Sequence, residues 1–316
     1  GFAPERSLFF AFGHDEEVGG ENGAARIAAH LAERGLRFSF LVDEGGYIAD
    51  GSAAGLAPGT RMAQINTAEK TYFTVTLVAR GEGGHSSTPP PHTAVGRLST
   101  AIHRLEANPF PLRLSTPVRD LFHALAPHMP AGRRFALDNL WLTGPFVMRS
   151  FAKEPFQAAL LRTTTAATMF EGGVKENVIP KVAKATVNFR ILPGETPDDV
   201  LAHVRRVIDD PDIEIVSSAW SEAPRPGRVD GPGYRILTES IHAVLPEVIV
   251  VPGMLMGATD TRHYAGIVDD AYRFIANEVG PNQFTGIHGT DERVSVESMN
   301  QGLQIHRDIL RRSGAR

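Results

Sequence analysis

The segment Gly13-His14-Asp15-Glu16-Glu17-Val18-Gly19-Gly20 places two adjacent glutamates between an apolar run and a glycine pair. Neighbouring carboxylates of this kind can divide two jobs, one binding a metal ion while the other moves protons. The plainer reading is a solvated acidic turn. Ahead of the acids, Leu8-Phe9-Phe10-Ala11-Phe12 has the length and composition of a buried strand, and the glycines open a helical pattern. The acids are then expected at the carboxyl end of a strand, the edge at which open α/β sheets bind ligands.

The elements that must position them follow in the next thirty or so residues. Ala24, Ala25, Ile27, Ala28 and Leu31 recur at helical spacing, with Gly35 in the place of a C-cap. Phe38-Ser39-Phe40-Leu41-Val42 predicts a second strand, ended by Asp43-Glu44-Gly45-Gly46. Leu8 to Asp43 thereby reads as one βαβ unit with parallel strands and a right-handed crossover. Parallel strands end on the same edge, so Glu17 and Asp43 are expected on one rim, as a carboxylate-rich metal site requires.

Further segments carry the same kind of chemistry. They are Gly81-Glu82-Gly83-Gly84-His85-Ser86-Ser87, Lys175-Glu176-Asn177-Val178-Ile179-Pro180, Asn188-Phe189-Arg190-Ile191-Leu192-Pro193, Gly257-Ala258-Thr259-Asp260-Thr261-Arg262 and Gly286-Ile287-His288-Gly289-Thr290-Asp291-Glu292-Arg293. Together with Ala11 to Gly20 and Val42 to Gly46, in this order over nearly the whole chain, they resemble the zinc-dependent M20 metallopeptidases. The likeness is greatest to the carboxypeptidase S and N-acyl-amino-acid hydrolase branch.

The resemblance implies a role for each position. Glu16 matches the general base, Glu17 a ligand of one zinc ion, Asp43 a ligand of a second, and His288 the imidazole that completes the site of Glu17. His85 matches a histidine that supports the oxyanion, commonly in the active site of a partner subunit. Asn177 and Arg190 match residues that hold a substrate carboxylate or carbonyl oxygen, and a guanidinium fork suits a carboxylate. Gly257, Thr259 and Arg262 match a substrate-contacting loop. His14 is expected to be structural, and His30, His92, His103, His123 and His306 to be surface or packing residues. Family members also carry an upstream His-x-Asp motif and a later bridging Asp, for which this sequence offers no counterpart ahead of Glu16. The expectation is a chain lacking its N-terminal segment, with part of a two-zinc site and weak or no metal binding on its own.

The fold class expected is α/β, a mixed and mostly parallel sheet domain with an inserted ferredoxin-like α+β lid or dimerisation domain. Residues 1–69 and 219–316 are the two parts of the catalytic domain, and 70–218 the lid. The lid reads β-α-β-β-α-β: strands around Tyr72 to Val78, Thr163 to Phe170, Ala185 to Leu192 and Ile213 to Ser217, with helices around Ala94 to Leu105 and Pro197 to Ile208. An insert at about 107–161 either pads the lid or lines a pocket for an apolar substrate group, and padding is the preferred reading. The Pro- and Gly-rich stretch 219–233 is read as the hinge back, followed by a helix near Tyr234 to Leu245, a strand Val248 to Val251 and a closing helix Val296 to Leu310.

Composition bounds the remainder. The chain has 316 residues, no cysteine and a net charge of −4, so any zinc must use His and carboxylates, and nucleic acid is not an expected partner. No apolar run approaches the roughly 18 residues of a membrane span. The expected function is a zinc-dependent hydrolase that releases the C-terminal amino acid from small peptides or N-acyl amino acids. A dipeptidase or deacetylase of the same superfamily, and a non-catalytic fragment or scaffold, are the alternatives. A homodimer through the lid is a further expectation, and the compartment stays open.

Overall fold

The computed structural model describes residues 2–218, 220, 224–280, 288–290 and 292–315. They divide into two compact units, Gly1–Glu69 with Leu114–Ser150 and Ala223–Arg316, and Lys70–Arg113 with Phe151–Glu222.

The first unit is built on a mixed sheet of β1 (Phe38–Asp43), β2 (Ile48–Asp50), β3 (Arg61–Glu69), β10 (Ile249–Leu255) and β11 (Val268–Arg273) in the order β1-β11-β3-β10, with β2 on β3. β1 runs parallel to β11 and β10 parallel to β3, whereas β11 meets β3 antiparallel at Arg273 and Asn66. Successive strand residues face opposite sides. Ala271 accordingly packs with Ala24, Ala28 and Leu31 of α1 (Ala24–Glu33), while Tyr272 packs with Leu237 and Ile241 of α8 (Pro232–Val244) and Ile305 and Ile309 of α9 (Val296–Gly314).

Two sequence expectations are corrected here. Leu8 to Phe12 is not a strand. β1 ends the sheet order with β11 as its neighbour, Phe9 meets it through an edge-on ring contact with Phe38, and Phe10 and Phe12 stand exposed. Apolar composition marks a segment that would accept burial, but a strand also needs a neighbouring backbone to take its hydrogen bonds. The βαβ unit therefore does not form, and β1 is parallel to β11 instead. Second, Leu114–Ser150, read as part of the lid insert, clusters with the first unit. The cause is α3 (Thr116–Leu125), whose Val118, Leu121, Phe122 and Leu125 form a buried stripe packed on β10. α4 (Ala131–Asp138) and α5 (Leu140–Phe151) follow, and α5 leaves Trp141, Leu142 and Phe146 exposed.

The second unit has the β-α-β-β-α-β order: β4 (Thr71–Arg80), α2 (Ala94–Ala107), β6 (Thr164–Gly172), β8 (Val182–Ile191), α7 (Pro197–Ile208) and β9 (Ile213–Ser217). A two-stranded pair, β5 (Gly84–His85) and β7 (Val178–Ile179), and the short α6 (Pro155–Leu161) are added to it. The sheet order β6-β8-β4-β9, antiparallel throughout, is that of a ferredoxin-like sandwich. Alternation decides its core. Phe73, Val75 and Leu77 of β4 and Ala185, Val187 and Phe189 of β8 face Leu98, Ala101 and Leu105 of α2 and Val200 and Val204 of α7. The start of α7 is set locally by a capping box between Thr196 and Asp199 with Pro197 in the first turn. Of the expected hinge 219–233, residues 219 and 221–223 lie outside the described residues; further on, Gly227 N donates to Thr67 O and Arg228 pairs with the buried Asp270.

Two predictions follow from this packing. A Cβ on Gly46 would fall inside the envelopes of the carbonyl oxygens of Gln64 and Arg273, both backbone atoms that cannot swing aside. Gly46→Ala is expected to cost about 2–3 kcal/mol or more in urea unfolding, and an unchanged midpoint would show that the strands yield. In the second unit Lys70 is 1% exposed; its Nζ donates to Arg162 O at 2.7 Å. Burial, reinforced by Arg190 and opposed by Glu195, pulls its pKa down from 10.5 to about 8. The fold thus disfavours the charged form, so this lysine lowers stability below pH 8 and the penalty fades as pH rises towards 10.5. The stability of Lys70→Met relative to the parent should fall by up to about 3 kcal/mol between pH 7 and pH 10.5 in urea melts, and a pH-independent difference would contradict it.

Candidate functional site

Glu16–Val18 form one 3-10 turn in which no residue is buried. Val18 N and Gly20 N donate to Asp15 O at 3.1 and 2.8 Å, and Gly19 N to Glu16 O at 2.9 Å. Asp15 Oδ2 accepts from Asn22 N at 2.7 Å, and with no residue of its own buried the turn is also held from outside. Arg262 Nη2 and His263 Nε2 both reach Gly19 O, at 2.7 and 2.9 Å. Gly20, at φ +71°, sits against the same loop, where a Cβ would collide with Asp260 Oδ1 and come within 2.9 Å of His263 Nε2. An L side chain would be strained there even with space.

Asp43 and Glu17 both act electrostatically on Glu44, and no βαβ unit of the kind expected stands behind this. Asp43 is the last residue of β1, where its Oδ1 accepts from Glu44 N at 2.9 Å. Glu17 is carried by the turn that rests on the 260–264 loop. Glu16, Glu17, Asp43, Glu44 and Asp260 thus form an acidic cluster. Partial burial, then the charges of Glu44, Asp260 and Glu17, push the Glu16 carboxyl up to about 7 against the opposing pull of Arg262. Burial and Asp43 raise Glu44, with His288 pulling the other way, and burial and Asp43 raise Asp260. His288 Nε2 lies 3.6 Å from Glu17 Oε1. Its motif neighbours Gly286, Ile287 and Asp291 lie outside the described residues.

Glu44, Asp260 and His263 were not picked out from the sequence. Glu44 and Asp260 stand next to Asp43 and Thr259, and His263 directly follows Arg262, so adjacency to an expected residue was the available signal.

Beneath the loop lies a buried polar network. Glu69 and Arg273, both side chains 1% exposed, pair at 3.1 Å. Glu69 Oε2 also accepts from Thr259 N and Thr259 Oγ1, while Arg273 donates to Thr261 Oγ1 and Ala271 O. Thr259 is therefore committed to Glu69, and Arg262 to Gly19. Gly257 lies in the loop after β10.

The donors are carboxylates and one imidazole, the kind zinc accepts. Two ligands about 2.0–2.1 Å from a tetrahedral zinc lie roughly 3.4 Å apart, close to the Glu17–His288 spacing. The set fits zinc in kind and in that spacing. In number it falls short, because no three His, Cys, Asp or Glu side chains among the described residues are grouped to hold a metal ion.

The other expected residues lie in the second unit. The β5–β7 pair joins Gly84 to Ile179 and His85 to Val178, and Ser86 N donates to Asn177 O, so His85 and Asn177 are brought together. His85 Nδ1 accepts from Ser87 N at 3.2 Å, which leaves the proton of the neutral ring on Nε2. Asn177 Oδ1 is buried without a hydrogen-bond partner among the described residues. Arg190 is not part of this pair. It sits opposite Tyr72, with its guanidinium 4.8 Å from the ring centroid, roughly 27 Å along β8 from Val182 at the strand's start.

The buried pair generates a stability prediction. Glu69→Gln and Arg273→Met each strand a buried charge, and each should cost about 3–5 kcal/mol in urea unfolding. The double replacement should cost less than the sum, and additivity would show that the two do not act as a pair.

Residues 67–216 match the M20 peptidase dimerisation domain. The chain is 42% identical over 308 residues to the mouse (Mus musculus) N-fatty-acyl-amino acid synthase/hydrolase PM20D1, covering 96% of this chain and 61% of that protein. It is 35% identical to a probable carboxypeptidase S-like 2 of Dictyostelium discoideum, over 98% of this chain and 60% of the relative. The chain thus spans about 60% of the length of these relatives. In fold it is similar to the M20 metallo-carboxypeptidase Sso-CP2 of Sulfolobus solfataricus, with a TM-score of 0.63 at 18% identity, covering 95% of this chain and 69% of that one. With the sandwich of its second unit, the Glu-Glu turn and these relatives, the chain belongs to the M20 peptidase family.

Proposed function

We propose that this chain is the greater part of an amide hydrolase that acts on small peptides or N-acyl amino acids and releases the C-terminal amino acid. The observation that carries the reading is the acidic cluster around Glu16, with the carboxyl of that residue pushed up to about 7 and Glu17 at 3.6 Å from His288. A carboxyl held near neutrality can accept a proton from an attacking water and return it to the leaving amine at the pH where both steps are needed. That is the role assigned to Glu16. Glu17 with His288, and Asp43 separately, are the residues assigned to hold zinc, and zinc, when bound, would polarise the scissile carbonyl and acidify water.

The remaining roles go to the second unit and to the loop. His85 and Asn177, held side by side, are proposed to meet the oxygen atoms of the attacked carbonyl, and Arg190 the free carboxylate. Their separation along the lid suits service to different copies of a site, which is the form a homodimer through the dimerisation domain would take. Gly257, Thr259 and Arg262 form the loop against which the substrate would lie. The names of the relatives support an acyl-amino-acid or C-terminal peptide substrate. A non-catalytic scaffold is the second reading, and the short count of grouped ligands among the described residues is what favours it.

Zinc content and hydrolysis of a panel of N-acyl amino acids and dipeptides separate the two, measured on the protein that carries this chain. Glu16→Gln is expected to lower kcat by about 10²–10⁴ with zinc content and KM little changed. Glu17→Gln and His288→Ala are expected to lower zinc content. Absence of turnover across the panel with zinc supplied would leave the scaffold reading standing.

A further inference from the structure

We propose that His263 is a positioning residue, whose Nε2–H holds the Glu16–Val18 turn in place through the carbonyl of Gly19. The turn has no buried residue of its own, so hydrophobic packing does not locate it. Its internal hydrogen bonds run from Val18, Gly19 and Gly20 back to Asp15 and Glu16; they define its shape without placing it. On one side Gly20 O accepts from Ala25 N of α1 at 2.9 Å and Asp15 Oδ2 from Asn22 N at 2.7 Å; on the other, placement comes from the neighbouring loop. Its Arg262 and His263 converge on the one oxygen of Gly19, at 2.7 and 2.9 Å.

A carbonyl oxygen has two lone pairs, and here both are taken by side-chain donors. Because Gly19 O is only an acceptor, the proton of the His263 ring must reside on Nε2. That nitrogen is thereby committed to the backbone. Of the two donors, Arg262 is long and flexible, and its charge also acts on Glu16. The His263 ring is short and rigid, and it abuts Gly20: a Cβ there would lie 2.9 Å from Nε2. Below, the loop is fastened by Thr259 and Thr261 to the buried Glu69–Arg273 pair. The path from the buried ion pair to Glu16 is therefore continuous, through Thr261, His263 and Gly19.

The test compares His263→Leu, which fills the space without a donor, with His263→Gln, which keeps an N–H. Amide hydrogen exchange is followed in the peptide spanning residues 15–22, with a β4–β8 peptide as internal reference. His263→Leu should speed exchange in the turn by about tenfold, the factor for one lost hydrogen bond, with the reference unchanged, and His263→Gln should restore it. Turn exchange within about twofold of the parent in His263→Leu, or His263→Gln exchanging as fast as His263→Leu, would overturn the proposal. The consequence for catalysis rests on the hydrolase reading. There His263→Leu should lower kcat by on the order of a hundredfold, as for a misplacement of about 1 Å, with KM little changed and recovery in His263→Gln. If the parent cuts nothing, the hydrolase reading fails while exchange still decides the clamp.

Discussion

The buried pair of Glu69 and Arg273 is the constraint on which the candidate site depends. Two full charges at 1% exposure are tolerable only with compensation from each other and from further hydrogen bonds, since desolvation alone costs several kcal/mol per ion. The compensation comes from three separate stretches: the end of β3, the end of β11 and the turn after β10. Loss of either partner would strand the other charge, so these stretches are specified jointly. What is held is the loop that bears Asp260, Arg262 and His263. At the next residue the same economy is repeated in the second unit, where buried Lys70 bonds to Arg162 O.

Above that foundation the electrostatics run the other way. Five carboxylates act on one another here, and Glu16, Glu44 and Asp260 are raised first by burial and then by their neighbours' charges. Arg262 opposes the rise at Glu16, Arg262 and His263 that at Asp260, and His288 that at Glu44. A folded chain tolerates such repulsion where the arrangement serves something other than stability. The cluster is also spared tight packing, because Gly13 and Gly20 leave the space that the Asp260 carboxylate occupies.

The strands and helices of the sandwich were legible to within a few residues because their signals are local. Thr196-Pro197-Asp198-Asp199 carries its own cap, and β4 and β8 alternate as a half-buried strand must. The first unit was less so. β3 is buried on both faces while carrying Asn66, Thr67 and Glu69, so it shows neither alternation nor an apolar run. β11, with adjacent aspartates, resembles a solvated segment. Leu8 to Phe12 has the converse problem, with strand composition but no ladder. Of the candidate site, Glu16, Glu17, Asp43 and His288 were proposed from motif order, whereas Glu44, Asp260 and His263 act through space.

By itself the sequence determined the chemistry available, carboxylates and imidazoles with no thiol, together with the family likeness and the elements whose caps and periodicity are written within a few residues. Tertiary structure alone decided which strand Asp43 lies beside, that α3 leaves the lid to pack on β10, and that Arg262 and His263 spend their donors on Gly19. The physical reason is one of range. A cap or an amphipathic stripe is an interaction between residues a turn apart, legible in one window of sequence. A strand partner, a buried ion pair or a perturbed carboxyl is set by groups some two hundred residues away, as Glu69 and Arg273 are, and exists only once the chain has closed on itself.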